Sequence, residues 1–127
     1  MNLLLDTHVI LWWLTDSPRL RGAARKSIES PENRVAISAA SVWEAAIKRS
    51  RGKLQFDPAR WQAVVGFLGF AELPIRSEHA WAAAALPRHH QDPFDRMLIA
   101  QAMVDGFTIV TGDQIFERYS VATLWVS

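Results

Sequence analysis

The chain has 127 residues, half of them hydrophobic and 21% charged, with a formal net charge of +1. This composition is typical of one globular domain, residues 1–127, and excludes a disordered chain. The longest apolar run, residues 9–14, is far shorter than the ~20 residues that span a bilayer, and Asp6 interrupts the early stretch where a signal peptide would lie. No cysteine is present, which excludes disulfides and thiolate metal sites. We therefore expect a cytoplasmic protein with no membrane partner.

Apolar, β-branched runs predict five strands, and helical patterns fill the gaps between them. In chain order, we expect a strand at 2–6, helices at 8–14 and 19–30, a strand at 34–38, helices at 39–50 and 59–67, a strand at 71–75, helices at 78–85 and 93–104, and strands at 107–111 and 121–126. The clearest helix has Pro93 at its first position and Gly106 just past its end. This alternation predicts an α/β fold, a three-layer α/β/α sandwich with a mostly parallel sheet of four to five strands.

Four carboxylates lie where such a sheet would bring them together. Asp6 and Asp113 follow strands directly, Glu44 follows the 34–38 strand by less than two helical turns, and Asp95 opens the helix at 93–104. Ligands of parallel sheets bind at the carboxyl ends of the strands. Like charges ~4 Å apart repel by about 4 kcal/mol at an effective dielectric of ~20, and a divalent cation removes that repulsion. The pattern therefore predicts a metal-dependent enzyme.

Each acid also has a purely local explanation as a helix cap. Asp6 and Asp113 precede helical segments, and Ser41 with Glu44 has the spacing of a capping box. The series from Asp92 to Asp95 fits an N-cap, a proline at the first helical position and an acid at the third. Taken together, however, four acids are what a pair of hard divalent ions needs for phosphodiester cleavage.

Four segments resemble the motifs of PIN-domain nucleases, most closely those of VapC-type toxins. They are LLLDTH at 3–8, SAASVWEAAIK at 38–48, HQDPFDRMLIAQA at 90–102 and IVTGD at 109–113. The resemblance implies a PIN-like fold and a Mg²⁺- or Mn²⁺-dependent endoribonuclease that cleaves RNA with metal-activated water. It also implies that the catalytic, metal-binding acids are Asp6, Glu44, Asp95 and Asp113, and that Asp92 is the cap. The implied partners are RNA, a VapB-like antitoxin and a second copy of the chain, within a homodimer or a larger antitoxin complex.

Several other residues are candidates for supporting roles. Thr7 and Thr111 adjoin site acids and can hydrogen-bond a carboxylate or a bound water, while Arg96 can order the acids or contact substrate. A basic cluster downstream of Glu44 is a candidate for RNA phosphate contacts, and it consists of Lys48, Arg49, Arg51 and Lys53. The four histidines are expected on the surface or in loops, with His90 close enough to Asp92 to flank the site.

The six tryptophans favour core or dimer contacts over a base-stacking platform because of their helical settings. Trp12 and Trp13 are adjacent on an apolar helix, so one of them is expected to face a second subunit unless the same chain covers it.

Three other functions compete with that of a toxin. The nearest is a PIN nuclease in RNA processing, which genome context would distinguish from a toxin, because a toxin gene lies beside an antitoxin gene. A phosphatase of the haloacid-dehalogenase type needs a second Asp two residues after the first, but this position is His8. A noncatalytic module with an acidic pocket would not need Glu44.

Overall fold

The computed structural model describes residues 1–126, which form a parallel five-stranded sheet in the order β3-β2-β1-β4-β5. The elements in chain order are β1 (Asn2–Leu5), α1 (Thr7–Leu14), α2 (Gly22–Glu29), β2 (Arg34–Ser38), α3 (Ala39–Ser50), α4 (Pro58–Leu68), β3 (Ala71–Leu73), α5 (Ser77–Ala85), α6 (Pro93–Asp105), β4 (Thr108–Thr111), a 3-10 helix (Gln114–Arg118) and β5 (Thr123–Trp125). The predicted α/β fold with a parallel sheet is confirmed. None of the helices within residues 1–126 is long and apolar enough to cross a bilayer.

Alternating side chains of the central strand build a core on each face of the sheet. Leu3 and Leu5 pack on one face against residues of α1, α2 and α4, and Leu4 packs on the other face against α6. Successive residues of a strand point to opposite faces, so a strand covered on both sides has to be apolar throughout. This requirement explains why β1 reads as an unbroken Leu run and confirms the three-layer arrangement.

The order of the strands creates the site. β1 pairs with β2 on one side and with β4 on the other. Along the chain, β2 and β3 are added on one side of β1, and β4 and β5 are then added on its other side. At such a switch point, the connections leave toward opposite faces and open a crevice at the carboxyl ends of the strands. Asp6 and Asp113 follow the two strands that border this crevice.

The predicted start of the second helix and one candidate cap are wrong. The second helix begins at Gly22 rather than at residue 19, because Leu20 turns into the core and its N–H bonds the carbonyl of Ser17. Ser41 does not cap α3; Ser38 does, accepting a hydrogen bond from the N–H of Ala40 at 3.0 Å. Ser41 therefore lies within the helix, and Glu44 is not part of a capping box.

Trp12 and Trp13 are both partly covered by their own chain. The guanidinium of Arg19 lies 5.0 Å from the ring of Trp12, and that of Arg25 lies 5.0 Å from the ring of Trp13. Trp13 also packs against Phe70, with 6.0 Å between the ring centroids. These contacts favour the alternative in which the same chain covers the pair.

Candidate active site

Four carboxylates, which we call the acidic edge, lie at the crevice: Asp6, Glu44, Asp95 and Asp113. Asp6 is 3% exposed, and its N–H extends the β1–β4 pairing by donating to the carbonyl of Val110. Thr111 donates its hydroxyl to Oδ2 of Asp6 at 2.8 Å and accepts the N–H of Asp113 at 3.0 Å. One buried threonine thus fixes the relative position of two site acids, as its place beside Asp113 led us to expect.

The electrostatics show that the acids converge on Asp95. The pKa of Asp95 is raised to about 8, first by burial and then by the negative charges of its neighbours, which in decreasing order are Asp92, Asp6, Glu44 and Asp113. Burial disfavours a charged carboxylate, and so do nearby like charges. The negative charge around Asp95 therefore exceeds the positive charge that the chain supplies there.

Two of the acids have a basic neighbour. Glu44 is 5% exposed and accepts a hydrogen bond from Nζ of Lys48, one helical turn away, at 3.0 Å. Nδ1 of His8 lies 3.8 Å from Oδ1 of Asp6, and the bond with this carboxylate raises the pKa of His8 against the opposing effect of burial. His8 is thus a surface histidine, as expected, but one that faces the acidic edge.

Asp92 is the N-cap of α6, as predicted. Its Oδ1 accepts the N–H groups of Phe94 at 2.9 Å and Asp95 at 3.3 Å. Asp95 lies at the third helical position, and its Oδ2 faces Nε2 of His90. Asp6 and Asp113 also cap the segments that follow them, so the capping role considered for these two residues is confirmed.

A hydrogen-bonded series that the sequence did not reveal supports Asp95. Nε2 of His90 lies 3.3 Å from Oδ2 of Asp95, and Nδ1 of His90 lies 2.7 Å from the hydroxyl of Tyr119. Arg96 donates to that hydroxyl at 3.4 Å and more strongly to backbone carbonyls, those of Ala83, Leu86 and Pro87, at 2.8–3.0 Å. Arg96 therefore reaches the acids only through Tyr119 and His90, and mainly ties the α5–α6 loop to α6.

Thr7 differs from the expectation for it. Its hydroxyl is buried and bonds Oγ of Ser41 at 2.9 Å, so it joins α1 to α3. Thr7 and Ser41 are 34 positions apart, and no local pattern distinguishes such a partner from a carboxylate.

The basic cluster is divided between two surfaces. Lys48, Arg51 and Lys53 line one groove together with Glu44, Asp92 and Phe94. Arg49 points elsewhere, donating from Nε to the carbonyl of Phe56 at 2.8 Å and packing over its ring. Arg49 is therefore not part of the same surface as the other three.

A second group of ligand-type side chains lies far along α6 from Asp95. Atoms of Glu78, His79 and Asp105 lie within 4.8 Å of one another. Arg76 bonds Glu78 at 2.6 Å and Asp105 at 2.7 Å. The bond from Arg76 lowers the pKa of Asp105, slight burial opposes this effect, and His79 adds to it. We call these four residues the Arg76 network. Both nitrogens of His79 are engaged, Nδ1 by the N–H of Arg76 and Nε2 by Asp105, so the ligand-type groups of the network already have partners within the chain.

His79 contradicts the expectation that all four histidines are on the surface or in loops. It is fully buried in α5. Its spacing from Arg76 permits the local hydrogen bond, but its bond to Asp105 spans 26 positions and has no local signal.

Comparisons with known proteins agree with this geometry. Residues 3–122 match the sequence model of the PIN domain family. Ribonuclease VapC22 of Mycobacterium tuberculosis is 33% identical over 117 residues, covering 89% of this chain and 88% of that protein. The structures of VapBC2 from Rickettsia felis and VapBC from Salmonella typhimurium, both bound to DNA, have the same fold, with TM-scores of 0.76 and 0.72 at 15% and 20% identity. The first covers 100% of both chains, and the second 100% of this chain and 99% of that one. The chain belongs to the PIN-domain family, within its VapC-type ribonucleases.

Proposed function

We propose that the acidic edge binds Mg²⁺ or Mn²⁺ and hydrolyses RNA phosphodiesters internally, and that the chain is the toxin of a VapBC-type pair. The observation that carries the proposal is the uncompensated negative charge around Asp95, in a chain that belongs to a ribonuclease family. The same charge in a structural cluster would be neutralised, as Arg76 neutralises Asp105.

The donor set fits a hard divalent ion. The four acids offer only carboxylate oxygens, which Mg²⁺ and Mn²⁺ prefer, and no thiolate is available in this chain. His90 and His8 face the carboxylates as partners of Asp95 and Asp6. In this proposal, Asp6, Glu44, Asp95 and Asp113 hold the metal, while Asp92 only caps α6.

The chain's own residues act by holding those carboxylates in place. Thr111 orients Asp6, His90 orients Asp95, and Lys48 orients Glu44. When bound, divalent ions supply the acidity that activates water and the charge that stabilises the attacked phosphate. Because water is the nucleophile, we expect products with 5′-phosphate and 3′-hydroxyl ends.

RNA cleavage with and without metal tests the activity. Purified protein freed of divalent ions should be inactive on single-stranded RNA, and Mn²⁺ or Mg²⁺ should restore internal cleavage, with ends identified by sequencing. Cleavage that continues in EDTA, or products with 2′,3′-cyclic phosphate ends, would contradict the proposed chemistry.

A VapB-like antitoxin is the proposed regulator. The structural neighbours described above are VapBC complexes, and the negative acidic edge is a target for a bidentate Arg of such a partner. We expect the antitoxin to bury apolar residues on this chain and to displace metal with a basic side chain. The inhibited complex should therefore bind Mn²⁺ more weakly than the free protein; equal affinity would place inhibition elsewhere.

Self-association is proposed from the likeness to VapC proteins, and not from Trp12 and Trp13, which pack against their own chain. We expect a homodimer, alone or within the antitoxin complex. Sedimentation at micromolar concentration measures this directly, and a monomer in both samples would exclude it.

A further inference from the structure

Trp43 is a large apolar side chain that is exposed to solvent beside a buried acid of the site. Its exposed fraction is 62%, whereas the next residue, Glu44, is 5% exposed. Consecutive residues of a helix point about 100° apart, so α3 presents Glu44 to the crevice and Trp43 to its rim. The ring of Trp43 makes an edge contact with Phe94, with 5.4 Å between centroids and 72° between planes. Phe94 in turn precedes Asp95.

The groove that Phe94 lines also has basic side chains in its wall. It measures about 410 Å³, and its lining includes Glu44, Asp92 and Phe94 together with Lys48, Arg51 and Lys53. Within residues 1–126, the side chains of Arg51 and Lys53 make no ion pair or hydrogen bond, while Lys48 is bonded to Glu44. Two cations are thus available beside an aromatic pair and next to the acidic edge.

We infer that Trp43 and Phe94 form a stacking site for an RNA base flanking the cleaved phosphodiester, and that Arg51 and Lys53 bind the adjoining backbone phosphates. Proteins that bind single strands combine these two elements, because every base has a face to stack and every nucleotide a charge to neutralise. The inference rests on the proposed ribonuclease function and assigns its substrate contacts. It also reverses, for Trp43, the expectation that the tryptophans are core or dimer contacts.

Charge favours RNA over a protein partner at this groove. An antitoxin segment that directs Arg or Lys at the acids would be basic, and Lys48, Arg51 and Lys53 would repel it. An RNA backbone meets attraction at the same place. The proposal therefore commits to single-stranded RNA, and antitoxin binding becomes an alternative outcome of the test.

Replacement of Trp43 separates stacking from general apolar contact. With a short single-stranded RNA that carries the mapped cleavage sequence, Trp43→Leu should raise KM about tenfold, from a loss of stacking in the usual range, and leave kcat nearly unchanged. Trp43→Phe keeps an aromatic ring and should retain most of the affinity. The matched control is Trp81→Leu, which should behave as wild type: Trp81 is 79% exposed on α5, whereas Trp43 contacts Phe94 of the groove.

Abasic substrates identify the base that stacks. A single abasic nucleotide is moved through the RNA near the cleaved bond. One position should raise KM for the wild type and have little further effect on Trp43→Leu, because both changes remove the same contact. Additive losses at every position would overturn the stacking site.

Removal of the two positive charges that bind phosphate should change the salt dependence of RNA binding. Arg51→Gln with Lys53→Gln should reduce the slope of log affinity against log salt by about 1.4, at ~0.7 for each phosphate contact to a single strand. An unchanged slope would overturn the phosphate assignment.

The outcomes distinguish this inference from the proposed function. A wild-type protein that cleaves no RNA overturns both. Cleavage by the wild type with an unchanged KM in Trp43→Leu overturns the stacking site alone. A Trp43→Leu protein that cleaves normally but loses antitoxin affinity shows that the groove is a protein interface.

Discussion

The acidic edge and the Arg76 network are built from the same residue types and are electrostatically opposite. In the network, Arg76 lies 2.7 Å from Asp105, and the pKa of Asp105 is lowered. At the acidic edge, burial and acidic neighbours raise the pKa of Asp95 to about 8. Both carboxylates belong to α6. The fold thus gives Asp105 a cationic partner and leaves negative charge in excess around Asp95, where we propose that a divalent cation binds.

The largest expected difference is in catalysis. Asp95→Asn should lower RNA cleavage at least ~100-fold, because loss of even an indirect partner of a metal ligand costs about 10–100-fold. Asp105→Asn, on the same helix, is the matched control and should cleave normally per folded molecule. Cleavage rates with Mn²⁺, together with melting curves of both variants, check this. Full activity of a folded Asp95→Asn protein would remove Asp95 from the site.

The two carboxylates should also give stability opposite dependences on pH. A carboxyl whose pKa rises from 3.8 to about 8 on folding stabilises the protein below pH ~4, and this contribution is lost as the pH rises through 8. Asp105, whose pKa is lowered, contributes stability above its unfolded pKa that is lost in acid.

Melting temperatures in EDTA measure both dependences. Asp95→Asn should melt at a higher temperature than the wild type at pH 9, whereas Asp105→Asn should flatten the decrease below pH 4. A wild type and Asp95→Asn with parallel curves from pH 5 to 9 would contradict the raised pKa.

Disruption of the network should affect stability alone. His79→Leu leaves the N–H of Arg76 and Oδ2 of Asp105 without their partner, which should lower the free energy of unfolding by about 2 kcal/mol. RNA cleavage at a temperature where the variant is folded should remain. Denaturant titration and cleavage rates provide the two readouts. A comparable loss of specific activity would indicate that the two regions are coupled.

The smallest expected effect separates cap from ligand. Asp92→Ala should cost about 1 kcal/mol of stability with a moderate loss of activity, and Asp92→Ser should recover much of both by restoring a capping oxygen. Thermal unfolding and cleavage assays decide the result. If Asp92→Ser is as inactive as Asp95→Asn, Asp92 contacts metal.

Local signals in the sequence predicted the elements well. Pro93 and Gly106 bound α6 as expected; Gly106 adopts a φ of +76°, which favours glycine. The expected convergence of the four acids rested on the predicted parallel sheet, because parallel strands end at one edge. What local signals could not reveal are the partners of buried polar groups. The bond from Thr111 to Asp6 spans 105 positions, and His90, Tyr119 and Arg96 meet only after the α5–α6 loop has folded back.

The exposure of individual side chains could not be predicted from the sequence either. Trp43 lies within a helical pattern, and its sequence setting is the same whether its ring faces the core or solvent. In the structure, Trp43 is 62% exposed, and its ring contacts that of Phe94 because α6 lies beside α3. The periodicity of a helical sequence predicts which residues share a face of the helix. It does not predict which other element, if any, packs against that face.

The central position of β1 has a consequence for the order of events during synthesis. Leu3–Leu5 pair with Thr108–Val110, so each of these β1 residues is synthesised 105 positions before its partner in β4. Closing a loop of that span is slow, and such contacts form late. Thr111 and Asp113 join Asp6 only when β4 has emerged from the ribosome. A nascent chain therefore has no assembled acidic edge while it is still close to the ribosome's own RNA and to the message being read.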